Sequence, residues 1–343
     1  MSHRLLVSAP AALITSERMR PLAEHVLRYL AKKDIPAAVV KIDEKIFADG
    51  EYYPRISESI RNMTVYLFFS PDYPNPTEGI GRLGILLNAL NHASPDQVKC
   101  ILPYIPYFRQ DRKAEPRTPI SAQFVAKIIQ MYPTMTRNLI TMDMHAEQVQ
   151  GFFDIPTENL YGRKILAEYL RKKFKGQYDQ IVIVAPDVNS AKRAQDFAQS
   201  IDLSIPYCIV DKRRPRANHS EVVSFVGGDV KGLCAIAVDD MIDTGGTMIG
   251  ACNELRRRGA SSFIACATHG VFSAKSEDSI PSTEERLRQH EIRVITTNSI
   301  PRSPEYVEAN QSWLTILPIN DMIAEAVAAD CLYGGSISVL NKK

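Results

Sequence analysis

Val238-Asp239-Asp240-Met241-Ile242-Asp243-Thr244-Gly245-Gly246-Thr247 is the segment best suited to chemistry. An apolar run ends in two acids, a short glycine-bearing turn follows, and a helical pattern begins at once. Turn N–H groups and the free N–H groups of a helix N-terminus form a cradle for a phosphate dianion. Gly245 and Gly246 let the backbone approach closely and take positive φ. Asp239 and Asp240 would repel that phosphate and are better suited to accept hydrogen bonds from sugar hydroxyls. A phosphorylated pentose meets both demands. The bland alternative is a capped helix with solvated acids.

Short apolar runs alternating with amphipathic stretches must position this segment, the pattern of parallel α/β architecture. Expected strands include Leu5–Val7, Ala37–Lys41, Val65–Phe69, Lys99–Leu102, Leu139–Met142, Ile181–Ala185, Tyr207–Val210, Leu233–Val238, Phe263–Ala267 and Arg293–Thr296. Expected helices include Arg163–Phe174 and Met248–Arg258, the latter stopped by Gly259. The opening Arg4–Ile14 reads as a buried first strand rather than a signal peptide, because Pro10 breaks it and charged residues follow at once. A boundary is expected near Leu160–Gly162, giving domains 1–160 and 161–343, with a return of the last residues onto the first domain as an option. Residues 211–229 are rich in Arg, Pro, Asn and Gly and read as a mobile loop. The stretch 274–290 reads as a polar surface excursion.

Composition sets the outer limits. The chain has 343 residues and a formal net charge of +2, so no bulk electrostatic pull toward nucleic acid or anionic membrane is expected. No run approaches the roughly 20 apolar residues of a membrane helix. Six scattered cysteines without a CxxC pair read as reduced core thiols of a cytoplasmic protein. Gly79-Ile80-Gly81-Arg82-Leu83-Gly84 is a formal GxGxxG, but three prolines precede it and no acid follows at the required distance; helix packing explains it better than a dinucleotide site. There is no Gly-Lys dipeptide, hence no Walker A loop, and no HExxH.

The acid-and-glycine segment resembles the phosphoribosyl pyrophosphate fingerprint as it occurs in ribose-phosphate pyrophosphokinases. Phe47–Glu51, Pro103-Tyr104, Tyr107–Lys113, Pro119–Ala122, Asp143–His145, Gln150–Pro156, Asp211–Arg216, Thr268–Ser273 and Pro318 with Ala324–Ala326 are similar to that family's pattern, in family order and spacing. The resemblance implies two phosphoribosyltransferase-like α/β domains, each a mostly parallel sheet flanked by helices. It implies transfer of the diphosphoryl group of ATP to the 1-hydroxyl of ribose 5-phosphate, giving phosphoribosyl pyrophosphate and AMP. Under it, Asp243, Thr244, Gly245, Gly246 and Thr247 hold the 5-phosphate, and Asp239 and Asp240 hold the ribose hydroxyls. Lys212 and Arg214 match the catalytic cations that close over the reacting phosphates; read alone, they would be a solvated turn. Phe47, Asp49 and Glu51 match an adenine-contacting segment supplied by a neighbouring subunit, and Arg109 and Gln110 match its ATP-contacting partners. His145 and Asp187 match positions associated with Mg²⁺, although histidine is an odd ligand for so hard an ion. The active site would lie between the domains of a homo-oligomer, a hexamer by resemblance.

Two departures qualify the match. The diphosphate loop of the family carries two glycines where this chain reads Asp187-Val188-Asn189-Ser190. Side chains at 189 and 190 either obstruct the diphosphate or replace backbone contacts with their own donors. After Arg112-Lys113 the chain reads Ala114-Glu115-Pro116-Arg117, and an acid there weakens an anion site. A catalytically silent, synthetase-like regulatory subunit is therefore the alternative function, and a phosphoribosyltransferase that consumes the product is a lesser one.

Overall fold

The computed structural model describes residues 11–72, 75–188, 190–213, 222–273, 281–332 and 337. The expected strand Leu5–Val7 lies outside them. The first described strand, β1 (Ala11–Thr15), is fully buried and takes the end of that opening apolar stretch. It leads through α1 (Arg20–Ala31) to β2 (Ala37–Ile46) and β3 (Tyr52–Ile56). There follow β4 (Thr64–Phe68), α2 (Pro76–His92), β5 (Gln97–Ile101), α3 (Ser121–Ile129), β6 (Thr136–Met142) and β7 (Thr157–Leu160). These strands form one sheet in the order β3-β2-β1-β4-β5-β6-β7, parallel except for the edge pair β2–β3.

A second set begins with α4 (Arg163–Lys173), β8 (Ile181–Ala185), α5 (Ala191–Ile201), β9 (Tyr207–Arg213) and β10 (Val222–Val226). It continues with β11 (Cys234–Ile242), α6 (Gly246–Arg257), β12 (Ser262–Gly270), α7 (Thr283–Gln289), β13 (Arg293–Thr297), α8 (Pro304–Asn310) and β14 (Leu314–Leu317). The strand order is β10-β9-β8-β11-β12-β13-β14, again with one antiparallel edge pair. The final helix, α9 (Asn320–Cys331), belongs with the residues before Gly162, while Gly162–Pro318 forms the other compact unit.

Strands buried on both faces read as continuous apolar runs, which is why β1, β4 and β8 are legible from residue type alone. Four strands are not. β3 carries Pro54 at a sheet edge, where a missing N–H is tolerated, and β7 is the polar run Thr-Glu-Asn-Leu. β14 has four residues. β10 corrects the reading of 211–229 as a loop. β9 runs on to Arg213 and pairs antiparallel with β10, so Lys212 lies in a ladder opposite Val223. Residues 214–221 are outside the described part.

The formal GxGxxG lies in the body of α2, whose N-terminus is capped instead by Asn75 accepting from the Glu78 N–H. A Cβ on Gly84 would lie 3.5 Å from Ile128 Cγ2 on α3, so this glycine serves helix packing.

In the first unit, α9 is tied to the sheet by a half-dry polar cluster. Asp330 Oδ2 accepts from Tyr66 Oη at 2.6 Å and from Lys99 Nζ at 2.5 Å. Burial, with the Asp330 charge beside it, holds the Tyr66 phenol well above its ordinary range. Lys99 and Asp330 are only 12% and 14% exposed, so removing one partner leaves the other charge uncompensated. Asp330→Ala is expected to cost about 3 kcal/mol and to lower the thermal midpoint by roughly 6–10 °C. A midpoint within about 1 °C of the parent would remove the pair from the stability account.

Candidate active site

β11 outruns its neighbour. Its pairing with β8 ends at Ala237↔Val184, whereas its pairing with β12 continues to Ile242↔Gly270. Asp239 and Asp240 therefore stand beside the place where β8 has stopped. The chain leaves β8 through α5 toward β9 and leaves β11 through α6 toward β12, in opposite directions along the sheet. Ligands of open α/β sheets bind in the crevice at such a switch point, outside the carboxyl ends of the strands.

The turn after β11 has the geometry that a phosphate requires. Gly245 is the residue before α6, with φ of 72°, and the helix has no side-chain cap. The helical ladder opens with Ile249 N–H donating to Gly245 O at 2.9 Å, which leaves the N–H groups of Gly246, Thr247 and Met248 outside it. Gly246 and Thr247 are exposed, Asp243 and Thr244 half-buried. An added Cβ on Gly245 would meet Leu287 Cδ2 at 3.2 Å, so glycine is required by φ and by space together.

The acid pair is held from α5. Arg193 Nη1 donates to Asp239 Oδ1 at 2.5 Å and to Asp240 Oδ1 at 2.9 Å. The Asp239 Oδ1 also accepts the Asp240 N–H at 2.9 Å. The side chain of Asp240 is 3% exposed and that of Asp239 19%. Burial, and after it the adjacent Asp240 carboxylate, push the Asp239 carboxyl well above the usual carboxylate range, while Arg193 pulls it down.

The loop between β8 and α5 is a closed turn. Asp187 Oδ1 accepts from both the N–H and the Oγ of Ser190, each at 2.8 Å. Ser190 is buried, so its side chain neither projects into the crevice nor offers its proton there. Val188 is 53% exposed. Asn189 lies outside the described residues.

In the first unit, Arg109 and Gln110 follow β5, and His145 follows β6; all three are exposed. Backbone strain marks these segments, with positive φ at Tyr107 (70°) and Asp143 (36°). Gln148 Nε2 donates to Asp111 Oδ2 at 2.8 Å and so links them. Gln110 Oε1 accepts from Ser121 Oγ at 2.6 Å, which fixes its amide. Phe47, Asp49 and Glu51 form the tip of the β2–β3 hairpin at the sheet edge, where Gly50 (φ 93°) makes the turn. β2 and β5 are three places apart in the sheet, about 14 Å at ordinary strand spacing.

Comparison with known proteins decides the family. Residues 11–132 match the model for the N-terminal domain of ribose phosphate pyrophosphokinase, and residues 154–309 match the phosphoribosyl transferase domain. The chain belongs to the ribose-phosphate pyrophosphokinase family. It is 36% identical to a ribose-phosphate pyrophosphokinase of Hyphomonas neptunium, covering 92% of this chain and 95% of that one. It is 40% identical to one of Gloeobacter violaceus, over 93% and 92% of the two chains. Among solved structures it resembles the phosphoribosylpyrophosphate synthetase of Mycobacterium smegmatis, with a TM-score of 0.77 and 33% identity over 94% of this chain and 98% of that one.

Two residues of this candidate site escaped sequence reading. One is Arg193, whose place on α5 gives no signal until β11 is laid beside it. The other is Arg286 on α7, which donates to Thr244 O at 2.8 Å and so ties α7 to the turn. Of the stretch 274–290, residues 274–280 lie outside the described part; the rest is no mere excursion, because α7 braces the turn, with Leu287 and Thr283 buried. A single leucine in a polar helix leaves no periodicity to read.

For a divalent cation, the described residues contain no group of three His, Cys, Asp or Glu side chains able to hold one. Asp187 supplies a hard oxygen donor, and both of its bonds from Ser190 fall on Oδ1, so a cation at Oδ2 would displace neither. A single carboxylate acting with substrate phosphates fits Mg²⁺, which keeps much of its own water. His145 fits it poorly as a direct ligand.

Proposed function

We propose that the turn after β11 seats ribose 5-phosphate for attack by its 1-hydroxyl on ATP, releasing AMP and phosphoribosyl pyrophosphate. The observation that carries this is the uncapped N-terminus of α6 beside one buried and one half-buried acid held by a single arginine. Asp243, Thr244, Gly245, Gly246 and Thr247 receive the 5-phosphate, and Asp239 and Asp240 accept from the 2- and 3-hydroxyls. Substrate fixed in this way loses most of the translational and rotational freedom that a bimolecular reaction must give up. The Asp187–Ser190 loop lies at the adjacent strand end, where the diphosphate would come to rest.

Lys212 and Arg214 are the proposed catalytic cations; of these, Lys212 is on β9 and Arg214 lies outside the described residues. Their charge would answer the charge that accumulates on the transferring phosphorus oxygens. Arg109 and Gln110, on the first unit, are the proposed ATP-contacting residues. Asp187 would hold Mg²⁺, which when bound would neutralise charge on the diphosphate; His145, on the first unit, is proposed as the other Mg²⁺-associated residue.

Phe47, Asp49 and Glu51 are proposed to serve a neighbouring copy's ATP. Ile46 (46% exposed), Phe47 (38%) and Tyr53 (56%) make an apolar tip that a second chain would cover, in a homo-oligomer. Six free thiols, five of them buried, support residence in a reducing compartment, the cytoplasm. Among the described residues no helix is long and apolar enough to cross a membrane.

AMP release that depends strictly on ribose 5-phosphate tests this reading; AMP formed equally without the sugar would overturn it. The silent regulatory subunit finds no support in the comparisons. A further expectation concerns Glu115. With an acid after Arg112-Lys113, inorganic phosphate should change the initial rate at saturating ATP by less than about twofold. A steep rise on adding phosphate would contradict it.

A further inference from the structure

Arg193 is a cation in the first turn of α5, where the helix dipole disfavours positive charge by roughly 0.3–1 kcal/mol. It is held there by two carboxylates of consecutive residues, with Nη1 donating to the Oδ1 of each. Arg193 is three residues beyond Ser190, which closes the diphosphate loop, so one rigid helix start carries both the loop and the guanidinium.

We propose that Arg193 is a positioning residue for the sugar: it favours the ionised form of the adjacent Asp239 and Asp240 side chains and fixes them in place, so that both accept from the vicinal hydroxyls of ribose. The inference rests on reading this acid pair as the sugar seat. Two hydroxyls that both donate need acceptors, and a carboxyl that takes up a proton turns one of its two acceptor oxygens into a donor. Neighbouring buried carboxylates do not both stay charged without a cation between them. The same helix start then sets the sugar acids and the diphosphate loop in register with one another.

Titratable groups on the surrounding elements are Asp187 before α5, Lys192 and Asp196 on it, Asp243 after β11, His269 on β12, and Glu254, Arg256 and Arg257 at the far end of α6. The charges that act on Asp239 are Asp240, which raises its pKa, and Arg193, which lowers it. Loss of Arg193 therefore pushes the carboxyl up, and the missing affinity is greatest at low pH and recovers as pH rises.

Steady-state kinetics of the full chain from pH 6 to 9 test this. Arg193→Met should raise the KM for ribose 5-phosphate about tenfold or more near neutrality and leave that for ATP within about twofold. It should also move the acid limb of kcat/KM for the sugar upward by about one pH unit or more. Arg193→Lys, which keeps a point charge, should restore most of the affinity and the position of the limb. If Arg193→Met does not fold, Arg193→Gln removes the charge while keeping a donor and gives the same readout. A sugar KM within twofold of the parent in the neutral variants, or equal rises for both substrates with no shift of the limb, would overturn the proposal. Asp239→Asn with Asp240→Asn separates the two readings. If that double variant leaves sugar affinity intact, the seat itself is misplaced; if it weakens sugar binding and Arg193→Met does not, only the role of Arg193 falls.

Discussion

Lys212→Ala is expected to lower turnover by about three orders of magnitude while leaving the KM for ribose 5-phosphate within about threefold. The backbone of Lys212 is fixed by the β9–β10 ladder, where it faces Val223, and truncation beyond Cβ leaves that ladder in place. What is removed is a cation whose proposed role belongs to the transition state, in which negative charge spreads over the oxygens of the transferring phosphorus. Binding energy realised only there appears in kcat and not in substrate affinity. Rapid-quench measurement of AMP formation, with ribose 5-phosphate affinity measured in parallel by calorimetry, separates the two quantities. Unchanged turnover would remove β9 from the mechanism; a collapse in sugar affinity would make Lys212 a binding residue.

Asp239→Asn combined with Asp240→Asn is expected to act the other way, raising the KM for ribose 5-phosphate by about two to three orders of magnitude. Each hydrogen bond to a charged group contributes about 1.5–3 kcal/mol, and two would be weakened together. The ATP KM should stay within about threefold. An unaltered sugar affinity would place the ribose elsewhere and leave the α6 cradle as a site for some other anion.

Much of this site is legible in the order of residues along the chain. Asp239 to Thr247 form one continuous segment, and a strand-turn-helix with glycines at the joint has few uses besides holding phosphate. Buried strands such as β8 read equally well, since Ile181–Ala185 is apolar throughout. What stays hidden depends on pairing across the sheet. Arg193 is one of several arginines on polar helix faces, and only the β8–β11 neighbourhood sets it over the acids. Arg286 is hidden for the same reason, 42 residues from the carbonyl it holds. Ser190 looks like a donor for diphosphate, yet its proton belongs to Asp187 three residues earlier. The strand Val222–Val226 is obscured by the Arg-, Pro- and Gly-rich composition around it, because a sheet edge needs backbone pairing more than apolar side chains.

The most direct measurement is ³¹P NMR of the purified protein with ATP, Mg²⁺ and ribose 5-phosphate. Growth of AMP together with a diphosphate whose inner phosphorus couples to the sugar's C1 proton, both absent without ribose 5-phosphate, is the result expected here. It would also show that a loop with Ser190 turned inward serves the diphosphate. ATP unchanged across several divalent ions and phosphate concentrations, with ribose 5-phosphate still bound, or ADP appearing in place of AMP, would contradict the assignment of this crevice to diphosphoryl transfer.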